Sequence, residues 1–158
     1  MSTEIPVVIR PATSADAQVL LEWRNDPTSR LWFRHTHPVT ETEHLVWLNG
    51  RFEQGNTPIW IADGDGVPVG SSRVDPGSTS THGSISVVVS ADHRGQGFGR
   101  ALIEWTVSHA RDVGYQRLIA SIHPENLASI SLFSSCGFTY HETDDMGFLN
   151  YDQYIGTG

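Results

Sequence analysis

The sequence has 158 residues, 38% hydrophobic and 18% charged, which excludes the charge-rich composition of disordered chains and predicts a single domain over residues 1–158. Eighteen acidic side chains against ten arginines and no lysine give a formal net charge of -8. This balance argues against a nucleic-acid-binding surface, so an anionic ligand has to be held by local arginines and backbone amides.

The N-terminal third is predicted to contain one strand and two helices. Val7 to Ile9 form a short apolar strand, and Thr13 is placed to cap a helix that ends near Asn25-Asp26-Pro27. Thr40 and Glu43 have the spacing of a capping box for a second helix, which is expected to end before Gly55. The apolar positions expected to face the core are Leu20, Leu21 and Trp23 in the first helix and Leu45, Val46, Leu48 and Phe52 in the second.

The rest of the chain is predicted to alternate strands and helices after one clear hairpin. The predicted elements are strands at 59–62 and 67–74 joined by Asp63-Gly64-Asp65-Gly66, a loop at 75–81, a buried strand at 85–89, a helix at 98–113 with Gly114 as its C-cap, a strand at 117–122, a helix at 126–135 ended by Gly137, and strands at 138–141 and 146–154. The resulting order, β-α-α-β-β-β-α-β-α-β-β, indicates an α+β fold with a mixed sheet.

Compartment and metal binding are constrained by what the sequence lacks. Cys136 is the only cysteine, so an internal disulfide and a multi-cysteine metal site are excluded. The N-terminus has no basic segment followed by an apolar core, and no apolar run approaches the ~20 residues of a membrane span. We therefore expect a cytoplasmic protein that does not contact membranes and, since His35 and His37 have no third ligand nearby, one that holds no metal.

A glycine-rich turn between the strand at 85–89 and the following helix is the strongest functional signal. The run Arg94-Gly95-Gln96-Gly97-Phe98-Gly99-Arg100 leads into a helix N-terminus, where free N–H groups and the helix dipole attract anions. Gly97 and Gly99 are expected to let a diphosphate approach the backbone. A dinucleotide fingerprint is excluded because Arg100 stands where a glycine is needed, and a P-loop is excluded because there is no lysine. The alternative is a tight turn without a ligand.

This turn resembles the diphosphate-binding turn of the GCN5-related N-acetyltransferase (GNAT) family. The resemblance runs from about Val67 to Tyr140 and includes Val87-Val88-Val89, Asn126, Leu132-Phe133 and Cys136-Gly137-Phe138. It implies a mostly antiparallel sheet flanked by helices and acetyl-CoA as cosubstrate. The residues it assigns to the cosubstrate are Val87, Val88, Val89, Arg94, Gly95, Gln96, Gly97, Phe98, Gly99, Arg100, Asn126 and Phe133. Asn126 is equally suited to cap the helix that follows it.

The catalytic groups are less clear, because the sequence departs from the family at two places. In the resembling peptide acetyltransferases a Glu acts as base and a Tyr as acid, and here Ser121 and Phe133 stand in those places. The candidates for proton transfer are His82, Ser121, His123 and Ser134. Alternatively, positioning alone suffices, with water carrying the proton. A backbone N–H near Val88 or Val89 is placed to stabilise the oxyanion.

The acceptor site is expected in the N-terminal part, which resembles acetyltransferases of nucleotide-linked amino sugars. The residues implied are Arg24, Asn25, Arg30, Trp32 and Phe33, since arginine and aromatic side chains suit a base and phosphates. The predicted function is acetylation of a primary amine of a small molecule, with an amino sugar first among acceptors. The alternatives are a protein or peptide amine acetyltransferase and a non-catalytic CoA-binding regulatory domain. Homodimers are common in the family.

Overall fold

Seven strands form one sheet with helices on both faces. The computed structural model describes residues 6–54 and 57–156, so Gly55 lies outside the described residues. The elements are β1 Val7–Pro11, α1 Ala17–Asn25, α2 Pro27–Arg30, α3 Glu41–Gln54, β2 Ile59–Gly64, β3 Val67–Pro76, β4 His82–Val89, α4 Phe98–Asp112, β5 Arg117–Ile122, α5 Leu127–Ser135, β6 Thr139–Thr143 and β7 Leu149–Tyr154. The predicted order is confirmed, with the short α2 added between the first two predicted helices.

The sheet has the strand order β1-β2-β3-β4-β5-β7-β6. Five of the six neighbouring strand pairs are antiparallel, which confirms the predicted mixed, mostly antiparallel sheet. The exception is β4–β5, a parallel pair whose register ends at Ser84 opposite Ile119. Beyond that point β4 continues to Val89 and β5 to Ile122 without pairing with each other. The sheet is therefore open on the β5 side of Val87–Val89, while β3 still pairs with that segment on its other side.

Both faces of the sheet are packed by helices. On one face α4 and α5 cover a core that includes Val74, Ile103 and Leu118, none of which has exposed surface. On the other face Leu20 and Trp23 of α1 and Leu48 of α3 pack on Ile59 and Ile61 of β2. No helix among residues 6–54 and 57–156 combines the length and apolar character needed to cross a membrane.

The inner face of α3 differs from the prediction. Leu48 is buried as expected, but Leu45, Val46 and Phe52 are exposed and the other buried residues are His44 and Arg51. Residues 44, 48 and 51 follow the i, i+4, i+7 spacing of one helical face. The rule that apolar residues lie inside fails at Arg51 because its guanidinium bonds the Asp75 carboxylate and the Val74 carbonyl of β3. Leu21 of α1, also expected in the core, is half-buried.

Several element boundaries moved for local reasons. Positive φ angles occur at Asp65 and Gly66, so the hairpin turn is these two residues and Gly64 ends β2. The last strand begins at Leu149 rather than Met146, because the Asp144 carboxylate accepts the N–H groups of Met146 (2.9 Å) and Phe148 (3.0 Å) and holds a turn. The loop predicted at 75–81 is shortened because β3 extends to Pro76.

Candidate active site

The turn before α4 presents free backbone amides on an open surface. Gly95 and Gly97 have φ angles of 77° and 91°, and a Cβ added at either would meet no atom within 4 Å. These angles favour glycine strongly over other residues. The helix's bonding begins with Ala101 N–H to Gly97 C=O at 3.1 Å. In the described part of the chain, the amides of residues 98–100 have no hydrogen-bond acceptor, so they remain available to an anion.

Gly99 has a different role from the one predicted. It is buried, and a Cβ there would lie 2.8 Å from Leu132 Cδ2 of α5. The absence of a side chain at Gly99 therefore allows α4 and α5 to pack closely, and it does not clear a path for a diphosphate. Gly97 has the open surroundings that were predicted for it, and Gly95, for which they were not predicted, has them too.

The two arginines beside the turn have partners in the protein. Arg94 donates to Thr28 Oγ1 (2.9 Å), Ser29 Oγ (2.8 Å) and the Val89 carbonyl (3.3 Å), which ties α2 to the turn. Arg100 donates to Ser135 Oγ at 2.7 Å and lies 3.5 Å from a Glu104 oxygen. The expected charge-assisted bonds from Arg94 to a phosphate are therefore replaced by bonds that fix the shape of the turn.

The open edge of β4 and the start of α5 flank this turn. Val87, Val88 and Val89 are half-buried, with Val88 packed towards α1 and α3 and Val87 and Val89 towards α4. Asn126 Oδ1 accepts the Ser129 N–H at 3.3 Å, so Asn126 caps α5. Phe133 is 6% exposed and its ring packs edge-on against Phe138 at 5.2 Å, which leaves little surface for a ligand.

The four proton-transfer candidates lie in different places. His82 begins β4 at its paired end, six residues from Val88, a separation of about 20 Å along a strand. His82 is therefore too far from the N–H groups of Val88 and Val89 to act on a group bound there. Ser134 is exposed on α5, where its carbonyl accepts the Gly137 N–H at 3.2 Å. Ser121 and His123 lie at the end of β5, beside the strand opening.

Ser121 belongs to a polar cluster that joins three parts of the chain. Arg34, in the loop between α2 and α3, donates to both Ser121 Oγ and the carboxylate of Asp144. The Arg34 guanidinium also lies 4.4 Å from the centre of the Phe148 ring. Its hydrogen bond lowers the pKa of Asp144, which therefore stays ionised at neutral pH. This loop is thereby attached to the turn before β7.

His123 stands in an aromatic wall next to that cluster. Its ring is 5.3 Å from the Trp32 ring and 5.6 Å from the Phe148 ring, both edge-on. Its Nδ1 lies 3.1 Å from the Glu125 N–H and accepts that bond. A neutral ring that accepts at Nδ1 carries its proton on Nε2, so the second nitrogen is a donor.

Two of the five predicted acceptor residues shape the α2–α3 loop. Asn25 donates from Nδ2 to the Val39 carbonyl (2.9 Å) and accepts the Val39 N–H at Oδ1 (2.8 Å), so both amide atoms are occupied. Arg30 donates to the carbonyls of Asn25 (3.0 Å) and Thr36 (3.2 Å). Asn25 and Arg30 therefore hold the shape of this loop through hydrogen bonds to its backbone.

Arg24, Trp32 and Phe33 stay next to the site. Arg24 lies 4.9 Å from the centre of the Phe33 ring and donates to the His35 carbonyl at 3.2 Å. Burial lowers its pKa, with a smaller contribution from the nearby charge of Arg30. The sequence analysis did not predict Arg34 or Asp144. Arg34 could have been found, because it directly follows the predicted residues Trp32 and Phe33. Asp144 could not, because it lies 110 positions from Arg34 in the sequence.

Comparison with known proteins identifies the family. Residues 7–139 match the family model described as an acetyltransferase (GNAT) domain. The chain therefore belongs to the GNAT acetyltransferase family, and it is an acetyl-CoA-dependent N-acyltransferase.

Two curated relatives are 32% identical to this chain. The L-amino acid N-acyltransferase MnaT of Escherichia coli aligns over 138 residues, which are 82% of this chain and 78% of the relative. The L-methionine sulfoximine/L-methionine sulfone acetyltransferase of Salmonella typhimurium aligns over 141 residues, 84% and 80% of the two chains.

Two solved structures share the fold over nearly their whole length. The yncA protein of Salmonella typhimurium, solved with its cofactor acetyl-CoA, has a TM-score of 0.84 and 25% identity, covering 95% of this chain and 94% of its own. The ribosomal-protein-alanine N-acetyltransferase of Brucella melitensis has a TM-score of 0.83 and 30% identity, covering 94% and 99%.

Proposed function

We propose that the protein transfers the acetyl group of acetyl-CoA to the α-amine of a free L-amino acid or a close analogue. One observation carries the acetyl-CoA half of the proposal: β4 and β5 part after Ser84, and the opening between them runs to Val89, the end of β4 that leads into the open glycine turn before α4. The amino acid half is supported by the curated relatives, both of which are named for amino acids or amino acid analogues.

Different residues of the opening would bind different parts of the cosubstrate. The amides from Gly95 to Arg100 would hold the diphosphate, and the backbone of Val87–Val89 would pair with the amide-containing arm as an added strand does. An N–H at Val88 or Val89 would donate to the acetyl oxygen. Acetyl-CoA supplies a thioester: its C–S bond breaks as the amine nitrogen forms the new C–N bond, and the amine proton ends on the released thiol.

Proton transfer would take place beside the end of β5. We retain Ser121 and His123 as candidates, because His82 is remote and Ser134 faces away into solvent on α5. The Nε2–H of His123 would donate a hydrogen bond to the leaving sulfur, directly or through water, and the sulfur would receive its proton from the amine nitrogen. Neither role requires the Glu and Tyr of the resembling peptide acetyltransferases, since a thiolate leaves more readily than an alkoxide.

Two other classes of acceptor, amino sugars and protein N-termini, can be distinguished from amino acids by experiment. An amino sugar was the first expectation from the sequence, but Asn25 and Arg30, two of its five implied contacts, are occupied by backbone groups. A protein N-terminus is favoured by the structural neighbour that acts on ribosomal-protein alanine. A thiol-release assay with acetyl-CoA therefore compares L-amino acids, amino sugars, sugar nucleotides and alanine-terminated peptides.

The expected result is turnover on one or more L-amino acids at rates well above those on the other classes. Turnover on peptides or amino sugars alone would contradict the proposed acceptor. Tight acetyl-CoA binding without thiol release on every class would instead support a CoA-binding regulatory domain.

A further inference from the structure

Three arginines lie on the sheet face covered by α1 and α3, and two of them contact the same tryptophan. Arg51 and Arg73 lie with their guanidinium carbons 5.5 and 5.3 Å from the centre of the Trp47 ring. Arg24 is close enough to add its charge to the field at Arg73. None of these contacts has a role in the cosubstrate site, so the cluster needs an explanation of its own.

The cluster has fewer carboxylates than guanidinium groups. Asp75 accepts from Arg51 and, at 3.1 Å, from Arg73 Nε, so a single carboxylate serves two arginines. Arg24 has no carboxylate partner within the described ranges 6–54 and 57–156, and its Nη1 is buried without a hydrogen bond. Burying a charged group without a partner costs free energy of folding. The cluster therefore has room for one more negatively charged group.

Arg73, rather than Arg51, is the arginine that still has N–H groups available to bind a ligand. Arg51 is 8% exposed and also donates to the Val74 carbonyl at 3.1 Å, so it is enclosed by the protein. Arg73 keeps 40% of its side-chain surface accessible and uses only its Nε in the bond to Asp75. Arg73 is cationic at neutral pH, since the pKa of a guanidinium lies far above 7.

Sheet register places Arg73 next to the reacting end of the proposed site. Arg73 pairs with Ser86, and the next pair on the same face is Ser71 with Val88, about 7 Å further along the strands. An amino acid carries its amine and carboxylate on the same carbon. A carboxylate bound at Arg73 would therefore direct the amine towards Val88, where the acetyl oxygen is proposed to bind.

We propose that Arg73, supported by the positive charge of Arg24, binds the carboxylate of the acceptor amino acid. This inference rests on the proposed function and specifies its substrate: an amine whose α-carbon also bears a carboxylate. The planar guanidinium suits a carboxylate through paired N–H bonds, which a lysine cannot reproduce.

The test compares an acceptor that has the carboxylate with one that lacks it. Wild type is first assayed with L-methionine sulfone and the protein amino acids, and the fastest is paired with its own carboxamide. Arg73→Met should lower kcat/KM for the amino acid roughly 10- to 100-fold, the worth of a charge-assisted bond, and change it little for the carboxamide. Arg73→Lys should recover part of the loss.

Two controls separate binding from folding. Arg111→Met removes the same charge from the far face of the sheet, where Arg111 bonds the Ile155 carbonyl, and should leave both acceptors unaffected. Affinity for acetyl-CoA by calorimetry and the thermal midpoint should match wild type in Arg73→Met, because Asp75 retains Arg51.

The outcomes distinguish this inference from the function on which it rests. Equal losses for the amino acid and its carboxamide, or no loss for either, would overturn the assignment of Arg73 while leaving the amino acid acetyltransferase intact. Absence of turnover by wild type on every amino acid would overturn both. A loss confined to the carboxylate-bearing acceptor, with partial recovery in Arg73→Lys, would support the site.

Discussion

Replacing Gly97 by aspartate tests the diphosphate site, because it adds a negative charge there with little other change to the structure. A Cβ at this position meets no atom within 4 Å, so the new side chain fits without a clash. The positive φ of 91° costs a non-glycine residue about 1–2 kcal/mol, and an acidic N-cap returns about 1 kcal/mol to the helix. Gly97→Asp should therefore fold with nearly unchanged stability.

The effect on acetyl-CoA affinity should be much larger. A carboxylate about 4 Å from a phosphate charge repels it by about 4 kcal/mol at an effective dielectric of 20, and salt reduces this by roughly half. The side chain also caps amides that the diphosphate would use. We expect Kd for acetyl-CoA, measured by isothermal titration calorimetry, to rise at least about 30-fold, equivalent to about 2 kcal/mol.

Gly97→Asn is the matched control, since it has the same size, backbone strain and capping ability without the charge. Its affinity should lie between those of wild type and Gly97→Asp. If the two variants were equally folded and bound acetyl-CoA within a factor of two of wild type, the reasoning that places the diphosphate at this turn would be refuted.

Three further predictions concern stability and the acceptor side. Thr106→Val removes a buried hydroxyl bonded to Ser72 Oγ at 2.7 Å, and stranding that serine should lower the free energy of unfolding in urea by about 1–3 kcal/mol. Because hydrogen bonds from Arg10 lower the pKa of buried Asp16, its contribution is complete above its unfolded pKa of about 3.9 and is lost as pH falls through the lower folded value. Urea titrations from pH 6 to 3 should therefore show a steeper loss for wild type than for Asp16→Asn; parallel curves would count against this coupling. Arg34→Met should raise KM for the amine several-fold while calorimetry finds the acetyl-CoA affinity unchanged, and an equal loss of both would place Arg34 elsewhere.

The sequence was most informative where local rules determine the structure. The glycine turn before α4 was predicted because a strand, positive-φ residues and a helix start occur in consecutive positions. The fold followed from the family resemblance and from apolar periodicity. The face of α3 was predicted wrongly at Arg51, because the burial of Arg51 depends on Asp75 and the Val74 carbonyl of β3, which periodicity does not reveal. Arg73 was not predicted as a site residue, because Trp47 and Arg51, which lie beside it in the fold, are more than 20 positions away in the sequence.

The acceptor side was the least predictable part of the site. Arg34 and Asp144 meet across 110 positions, and such a contact has no local signature. Asn25 has the chemistry of a binding residue, yet its amide is used by the backbone of Val39. Residue type alone cannot distinguish a side chain that binds ligand from one that holds a loop, because both use the same donors and acceptors.

Backbone amide shifts on titration with CoA test the central claim most directly. The account predicts that the amide signals of Gly95, Gly97 and Phe98 move strongly and saturate together. The signals of Gly66 and Gly147, which also have positive φ but lie in other turns, should stay in place. Saturable binding of CoA with the signals of the α4 turn unchanged would contradict the account.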